Sequence, residues 1–356
     1  MLKIRLKYIS IFLALISLLS FLNILYSYYF NLYLNLNTYF YTLLISVFFS
    51  LIFFKFQSNK EKPSLFEKIL TILFGYIFIP LILLIPFYFS IYNLTFLNSL
   101  FESVSGFTST GFSIFNDIKQ IDQSLILWRS TTQWIGGLYF LFSIIFLIDI
   151  YDESLKRSLT NFISLNNSEI IKQTVKVFIL YFFLTFFIFI ILELIGLRTF
   201  NSVNLALTLI SSGGFLPFND ISVVLNTDFK KIVFSILMLI SFFSIFFIYN
   251  LILFKNRDKN FFYEDYNLLL YLMILVLVFL FFFGYNNNFI NIVFSIFSSI
   301  SNIGISWNSD FTNLHFIFLI LVIIGGSFFS TSSGLRFIKI YSLIIFSFNQ
   351  ILSFSK

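Results

Sequence analysis

Gly111, Gly214 and Gly304 each stand six residues before an aspartate, Asp117, Asp220 and Asp310, in a chain that has only nine aspartates. The segments read SGFTSTGFSIFND, SSGGFLPFND and SNIGISWNSD, and the first two share G-F-x-x-F-N-D outright. The chemistry these residues offer is coordination rather than catalysis. Glycine adopts backbone angles that turn successive carbonyls to one side and leaves their oxygens unobstructed. Carbonyl oxygens arranged this way can replace the hydration shell of a monovalent cation. The candidate filter residues are therefore Thr108, Ser109, Thr110 and Gly111, then Ser212, Gly213 and Gly214, then Asn302, Ile303 and Gly304. The three aspartates would sit in an outer mouth and raise the local cation concentration; ordinary solvated loop acids would have the same appearance.

Composition says where such segments lie. Of 356 residues 59% are hydrophobic and 11% charged. That much apolar surface exceeds what a soluble core hides and fits a bilayer. The 57 phenylalanines accompany many Asn, Ile, Lys and Tyr residues with A/T-rich codons, so genome bias accounts for them. The absence of cysteine and the single histidine, His315, exclude disulfides, thiol nucleophiles and ordinary zinc sites. With no carboxylate pair or phosphate loop either, the chain is not read as an enzyme. The basic head Lys3, Arg5, Lys7 precedes an apolar run too long for a signal peptide, so 8–30 reads as a retained first span.

Runs of membrane-spanning length lie near 8–30, 38–55, 66–90, 125–150, 174–196, 230–254 and 266–284, and an eighth begins near Leu314. Apolar stretches too short to cross, 94–106, 200–212 and 289–301, each end in one of the glycine segments. The expected fold is an all-α polytopic membrane protein. It has about eight transmembrane helices and three re-entrant half-helix and filter segments, in pseudo-symmetric helix–pore loop–helix repeats. Returning each short stretch to its side of entry puts 17 of the 22 basic residues on the side of the N-terminus. Positive residues stay inside, so both termini are expected in the cytoplasm and the chain in a bacterial inner membrane. The net charge of +6 is this fringe and gives no argument for nucleic acid. A half-helix entering from outside points its negative C-terminal end at the filter, which favours cations. The expected divisions are an N-terminal hairpin 1–57 and repeats 58–165, 166–260 and 261–356.

FESVSGFTSTGFS with WRSTTQWIGG resembles the first pore repeat of the TrkH/KtrB/HKT potassium transporters. LALTLISSGGF is similar to their second filter, SIFSSISNIGIS to their third, and IIGGSFFSTSSGLRFIKIY to the stretch that interrupts their third inner helix. The first two spans resemble the extra hairpin of TrkH-type members. The resemblance implies a potassium pathway with potassium as cargo, held at the filter glycines only, and no cofactor. Gly111 stands where sodium-preferring plant relatives have Ser. The resemblance also implies an intramembrane gate from Gly325, Gly326, Ser327, Ser330, Thr331, Ser332, Ser333 and Gly334, for which a close-packing face of small residues is the plainer reading. Phe328 and Phe329 depart from the family's small loop residues. The implied partners are membrane lipid, a second copy in a homodimer and a cytosolic nucleotide-binding regulator of the TrkA type.

The family continues into a fourth repeat, and this sequence shows three. The expectation is that a separate polypeptide supplies the fourth or that the chain is a truncated, non-conducting subunit. Elsewhere, Glu102 is read as support behind the filter, and Arg129 as a snorkelling residue near the outer interface. Glu169, Asp258 and Glu264, with the basic inner fringe, could face a cytosolic regulatory ring, and solvated inner-loop acids are the stronger reading.

Overall fold

A computed structural model describes residues 4–55, 63–150, 170–252, 263–283, 289–305, 307 and 314–354. The described residues are helices and connecting turns, and they form two compact units, Met1–Asn219 and Asp220–Lys356.

The first unit opens with α1 (Leu6–Tyr29) and α2 (Leu36–Lys55), an antiparallel hairpin turned at Asn31. Helix α3 (Leu65–Leu83) starts on a capping box between Ser64 and Glu67, and Pro86 opens the short α4 (Ile85–Tyr88) after it. Arg5 joins the hairpin to α3 through a 2.8 Å ion pair with Glu67. Then come α5 (Phe96–Phe107), α6 (Gln123–Phe146), α7 (Ile170–Leu194) and α8 (Thr199–Ile210). Asn23 donates to the Ser124 carbonyl at 3.1 Å, and the Tyr39 and Ser124 hydroxyls share a hydrogen bond of 2.9 Å. These polar contacts fix the hairpin against the start of α6.

The second unit holds α9 (Asp228–Phe242), α10 (Ile245–Ile252), α11 (Tyr263–Phe283), α12 (Phe289–Ser301), α13 (His315–Ile324) and α14 (Phe337–Phe354). Helix α12 packs on α9, as α8 packs on α6 in the first unit.

Segments Leu6–Tyr29, Leu36–Lys55, Leu65–Tyr88, Ile171–Leu194 and Glu264–Phe282 are long and apolar enough to cross a membrane. The other three expected spans take different forms. Helix α6 has the length, 24 residues, but carries a polar run from Arg129 to Gln133 and is buried along nearly its whole course. The span expected at 230–254 is broken between α9 and α10, and the last is interrupted between α13 and α14. Helices α5 and α8 have 12 residues each and α12 has 13. At 1.5 Å per residue they reach about 18–20 Å, short of the ~30 Å hydrocarbon core. The protein is a polytopic helical membrane protein.

Candidate functional site

The three half-helices end on one backbone pattern. Ser109, Ser212 and Asn302 are left-handed, with φ of 54°, 54° and 59°. The amide of the next residue reaches back across the last turn: Thr110 to Ser105 (2.9 Å), Gly213 to Thr208 (2.9 Å) and Ile303 to Ser298 (3.1 Å). This closure terminates a helix on a left-handed residue. It recurs at the spacing of the glycines, so the repeat read from Gly-to-Asp offsets is also a repeat of backbone geometry. Gly111 and Gly304 follow at φ +81° and +74°. Gly214 departs from them, since it has no positive φ. Within the first unit Gly111 and Gly214 meet: a Cβ on Gly111 would lie 2.8 Å from Gly214 Cα, so Gly111 has no room for a side chain. Ser105 and Thr208 donate to the carbonyls of Phe112 (2.5 Å) and Phe215 (3.0 Å), which ties each half-helix to the residue after its own glycine.

Helix α6 holds these segments from behind. Arg129 is not a snorkelling residue; it is 1% exposed and paired at 2.8 Å with Glu102, which is fully buried. Glu102 also accepts from Ser113 (3.1 Å) and from the Ile114 amide (3.0 Å), and Arg129 donates to Ser113 (2.9 Å). The guanidinium lies 4.3 Å from the centre of the Phe215 ring, so one buried cation touches the residues that follow both glycines in this unit. The support expected of Glu102 is the geometry found. One turn along α6, Gln133 was not singled out from the sequence. In the amide orientation that satisfies both ends, its oxygen accepts from Gly214 and Phe215 amides at 3.1 Å and its nitrogen donates to Thr208 at 3.2 Å. Arg129 and Gln133 at i and i+4 on a membrane helix are the signal that would have found the pair.

Asp117 and Asp220 each cap a 3-10 turn, accepting from the amides of Lys119 (3.0 Å) and Ser222 (2.9 Å). Asp117 also accepts from the Asn219 side chain at 2.6 Å, and Asn219 accepts from the Ile118 amide at 2.7 Å. Bonding to the Asn219 amide holds the Asp117 carboxyl below its ordinary pKa. Capping is thus a structural duty of both acids. Asp310 lies outside the described residues, as do Glu169 and Asp258.

In the second unit the segment Gly325–Arg336 leaves the helix. Gly325, Gly326, Ser327, Ser330, Thr331 and Ser332 are buried, while Ser333 and Gly334 are exposed. The loop is sewn to the break between α9 and α10: Ser327 donates to Phe242 (2.9 Å), Ser332 to Ser241 (3.1 Å), and Ile245 to Phe329 (3.1 Å). Phe329 stacks on Phe246, ring centres 5.1 Å apart, so this departure from a small residue anchors the loop. Arg336 closes it from its own end, donating to the Ser327 carbonyl (2.8 Å) and Ser330 hydroxyl (3.0 Å). Glu264 does not lie in a solvated loop: it begins α11 and accepts from the Phe328 amide at 2.7 Å. Its neighbour Asp265, which the sequence did not single out, accepts from the Ser244 amide at 2.9 Å.

No protein-family model matches the chain. Over 341 residues it is 25% identical to an uncharacterized cation transporter of Methanocaldococcus jannaschii, covering 90% of this chain and 69% of that protein. A 46-residue stretch is 44% identical to the Trk system potassium uptake protein TrkG of Escherichia coli, 13% of this chain and 10% of TrkG. The crystal structure of the potassium transporter TrkH from Vibrio parahaemolyticus superposes with a TM-score of 0.77, at 18% identity, over 98% of this chain and 76% of that one. The chain thus shares the fold of TrkH along nearly its whole length, and its sequence is similar to that of a cation transporter along most of it.

Proposed function

We propose that the chain passes potassium, with the backbone around Gly111 and Gly214 in the first unit, and that around Gly304 in the second, as filter segments. The carrying observation is the recurring left-handed turn at Ser109, Ser212 and Asn302, which ends each half-helix the same way just before its glycine. Gly304 receives its role from that register, within its own unit. The loop Gly325–Gly334 is the gate in this reading, and Asp117, Asp220 and Asp310 are mouth acids. A TrkA-type regulator, a homodimer, the inner membrane and cytoplasmic termini belong to the reading through family likeness and the distribution of basic residues.

Rubidium uptake in a host lacking its own potassium transport tests the filter. Gly111→Ser adds a Cβ against Gly214 and places a side chain on a backbone that costs it about 1–2 kcal/mol. Together with Gly214→Arg it is expected to lower uptake by at least about tenfold, the equivalent of roughly 1.4 kcal/mol in barrier. Uptake at parental rate in both variants rejects the filter.

One observation favours a second, compatible reading, in which the pathway needs a fourth unit from outside residues 1–356. In the second repeat Asn204, Thr208, Ser211, Gly213 and Phe215 are buried, and Ser130, Gly137 and Gln133 of α6, the helix following the first filter, lie against them. Their third-repeat counterparts Phe294, Ser298, Ser301, Ile303 and Ile305 are buried as well, on the side where α12 meets α9. In the first repeat the counterparts Phe101, Thr108, Thr110 and Phe112 are exposed, and only Ser105 is covered. A groove of about 360 Å³ runs along α5 between Leu97, Phe101, Val104 and Phe112. Its occupant, in this reading, is the post-filter helix of a fourth unit. Filter backbone left against lipid would be unsatisfied there.

A further inference from the structure

Helix α11 begins with two adjacent carboxylates that the proposed pathway does not use. Asp265 is 4% exposed, and Glu264 is partly covered. Each accepts a backbone N–H, and the two N–H groups belong to different helix breaks. Asp265 takes Ser244, where α9 gives way to α10; Glu264 takes Phe328, in the loop between α13 and α14. A broken helix leaves amides without their i−4 partner, and at membrane depth such amides need an acceptor from the protein. A serine or asparagine oxygen would serve at lower desolvation cost than a buried carboxylate. The choice of two adjacent carboxyl groups on one turn therefore calls for a reason beyond satisfying amides. The charged groups facing the pair are each other and Arg336, whose own donors go to Ser327 and Ser330 of the loop.

We propose that Glu264 and Asp265 are gate-positioning residues, a two-handed latch in which one helical turn holds the intramembrane loop and the α9–α10 break closed together. The proposal rests on the reading of Gly325–Gly334 as the gate. The latch follows from adjacency. Both carboxylates ride on the same turn, and hydrogen bonds of 2.7 and 2.9 Å lose their geometry within a displacement of about 1 Å. A small movement of the start of α11 thus releases both breaks at once, while the two short bonds keep the closed arrangement firm until then.

The absence of cysteine makes a direct test available. Thr331→Cys places a single thiol in the loop, and Ser143→Cys places one on α6 as a control; both positions are 7% exposed. Full-length protein in proteoliposomes is treated with a membrane-impermeant methanethiosulfonate, and rubidium uptake is measured in parallel. Glu264→Gln and Asp265→Asn keep the side-chain size and replace the carboxyl by a carboxamide, which puts N–H groups at the carboxyl's second oxygen position. Each is expected to speed modification at residue 331 about fivefold, because the carboxamide holds the backbone N–H less firmly. Modification at 143 and the preference for rubidium over sodium are expected to stay unchanged, and basal uptake to rise. An unchanged rate at 331 in both variants and in the double alanine variant overturns the latch. Faster modification at both 331 and 143 marks unfolding and overturns it equally. Faster modification at 331 with unchanged uptake supports the latch and overturns the reading of the loop as the gate.

Discussion

At the scale of single residues, the decisive group is the buried Arg129–Glu102 pair. Each partner is worth little alone to the fold, because two charges in a dry interior roughly offset their own desolvation. Removing one leaves the other uncompensated. Glu102→Leu is expected to destabilise the protein by about 3 kcal/mol or more, whereas Glu102→Leu combined with Arg129→Met recovers most of that loss. Thermal unfolding in detergent checks this: a double variant no more stable than the single one contradicts the account. The sequence disclosed half of this pair. Glu102 lies in the half-helix and was readable as support. Arg129 begins a long apolar run, where snorkelling explains a charge equally well, and the 27-residue separation carries no local pattern. Glu264 and Asp265 were hidden similarly, because acids at the start of a span look like loop acids until the span's first turn is seen against its neighbours.

At the scale of elements, α6 matters because it lies close behind the first two glycine segments. Gly136 of α6 faces the last residue of α5, and an added methyl would overlap the Phe107 carbonyl backbone. Gly136→Ala must therefore push α6 away from the half-helix it supports, at a cost of about 1–3 kcal/mol for overpacking. A lowered detergent melting temperature together with reduced rubidium uptake is the expected outcome; unchanged values for both would show that α6 is not a rigid backing. The half-helices themselves were legible from length, and the interrupted last helix from its Gly and Ser/Thr cluster. The break at Phe243–Ser244 was not, since SFFSIFFIYN holds neither glycine nor proline. Its cause is tertiary: the loop from α13 to α14 and the Asp265 carboxylate supply partners that a continuous helix would otherwise find within itself.

At the scale of the molecule, the three repeats are unequally clothed. The second and third half-helices are covered by a preceding post-filter helix, and the first has an open groove in that place. A fourth unit is expected to fill it. Phe101→Cys provides a single thiol on the groove, and co-expression with a candidate helix–glycine–helix fragment carrying one cysteine should give a disulfide-linked pair and raise rubidium uptake. Cross-linking of two copies of this chain through residue 101, or full uptake by residues 1–356 alone, would reject a fourth unit as the occupant. The repeat count was legible in the sequence because glycine and aspartate keep their spacing when apolar residues drift. The unequal covering was not, because exposed leucine and phenylalanine read alike whether they face lipid or a missing helix.

The lacing of the loop to the α9–α10 break has a kinetic consequence. Ser327, Ser332 and Ile245 make the cross-bonds that their own helices lack, so neither helix can straighten while the other stays bent without orphaning amides and carbonyls on both. The two interruptions therefore share a single activation barrier. On the gate reading, the passage would occupy one of two conditions, with no half-open intermediate stable enough to accumulate.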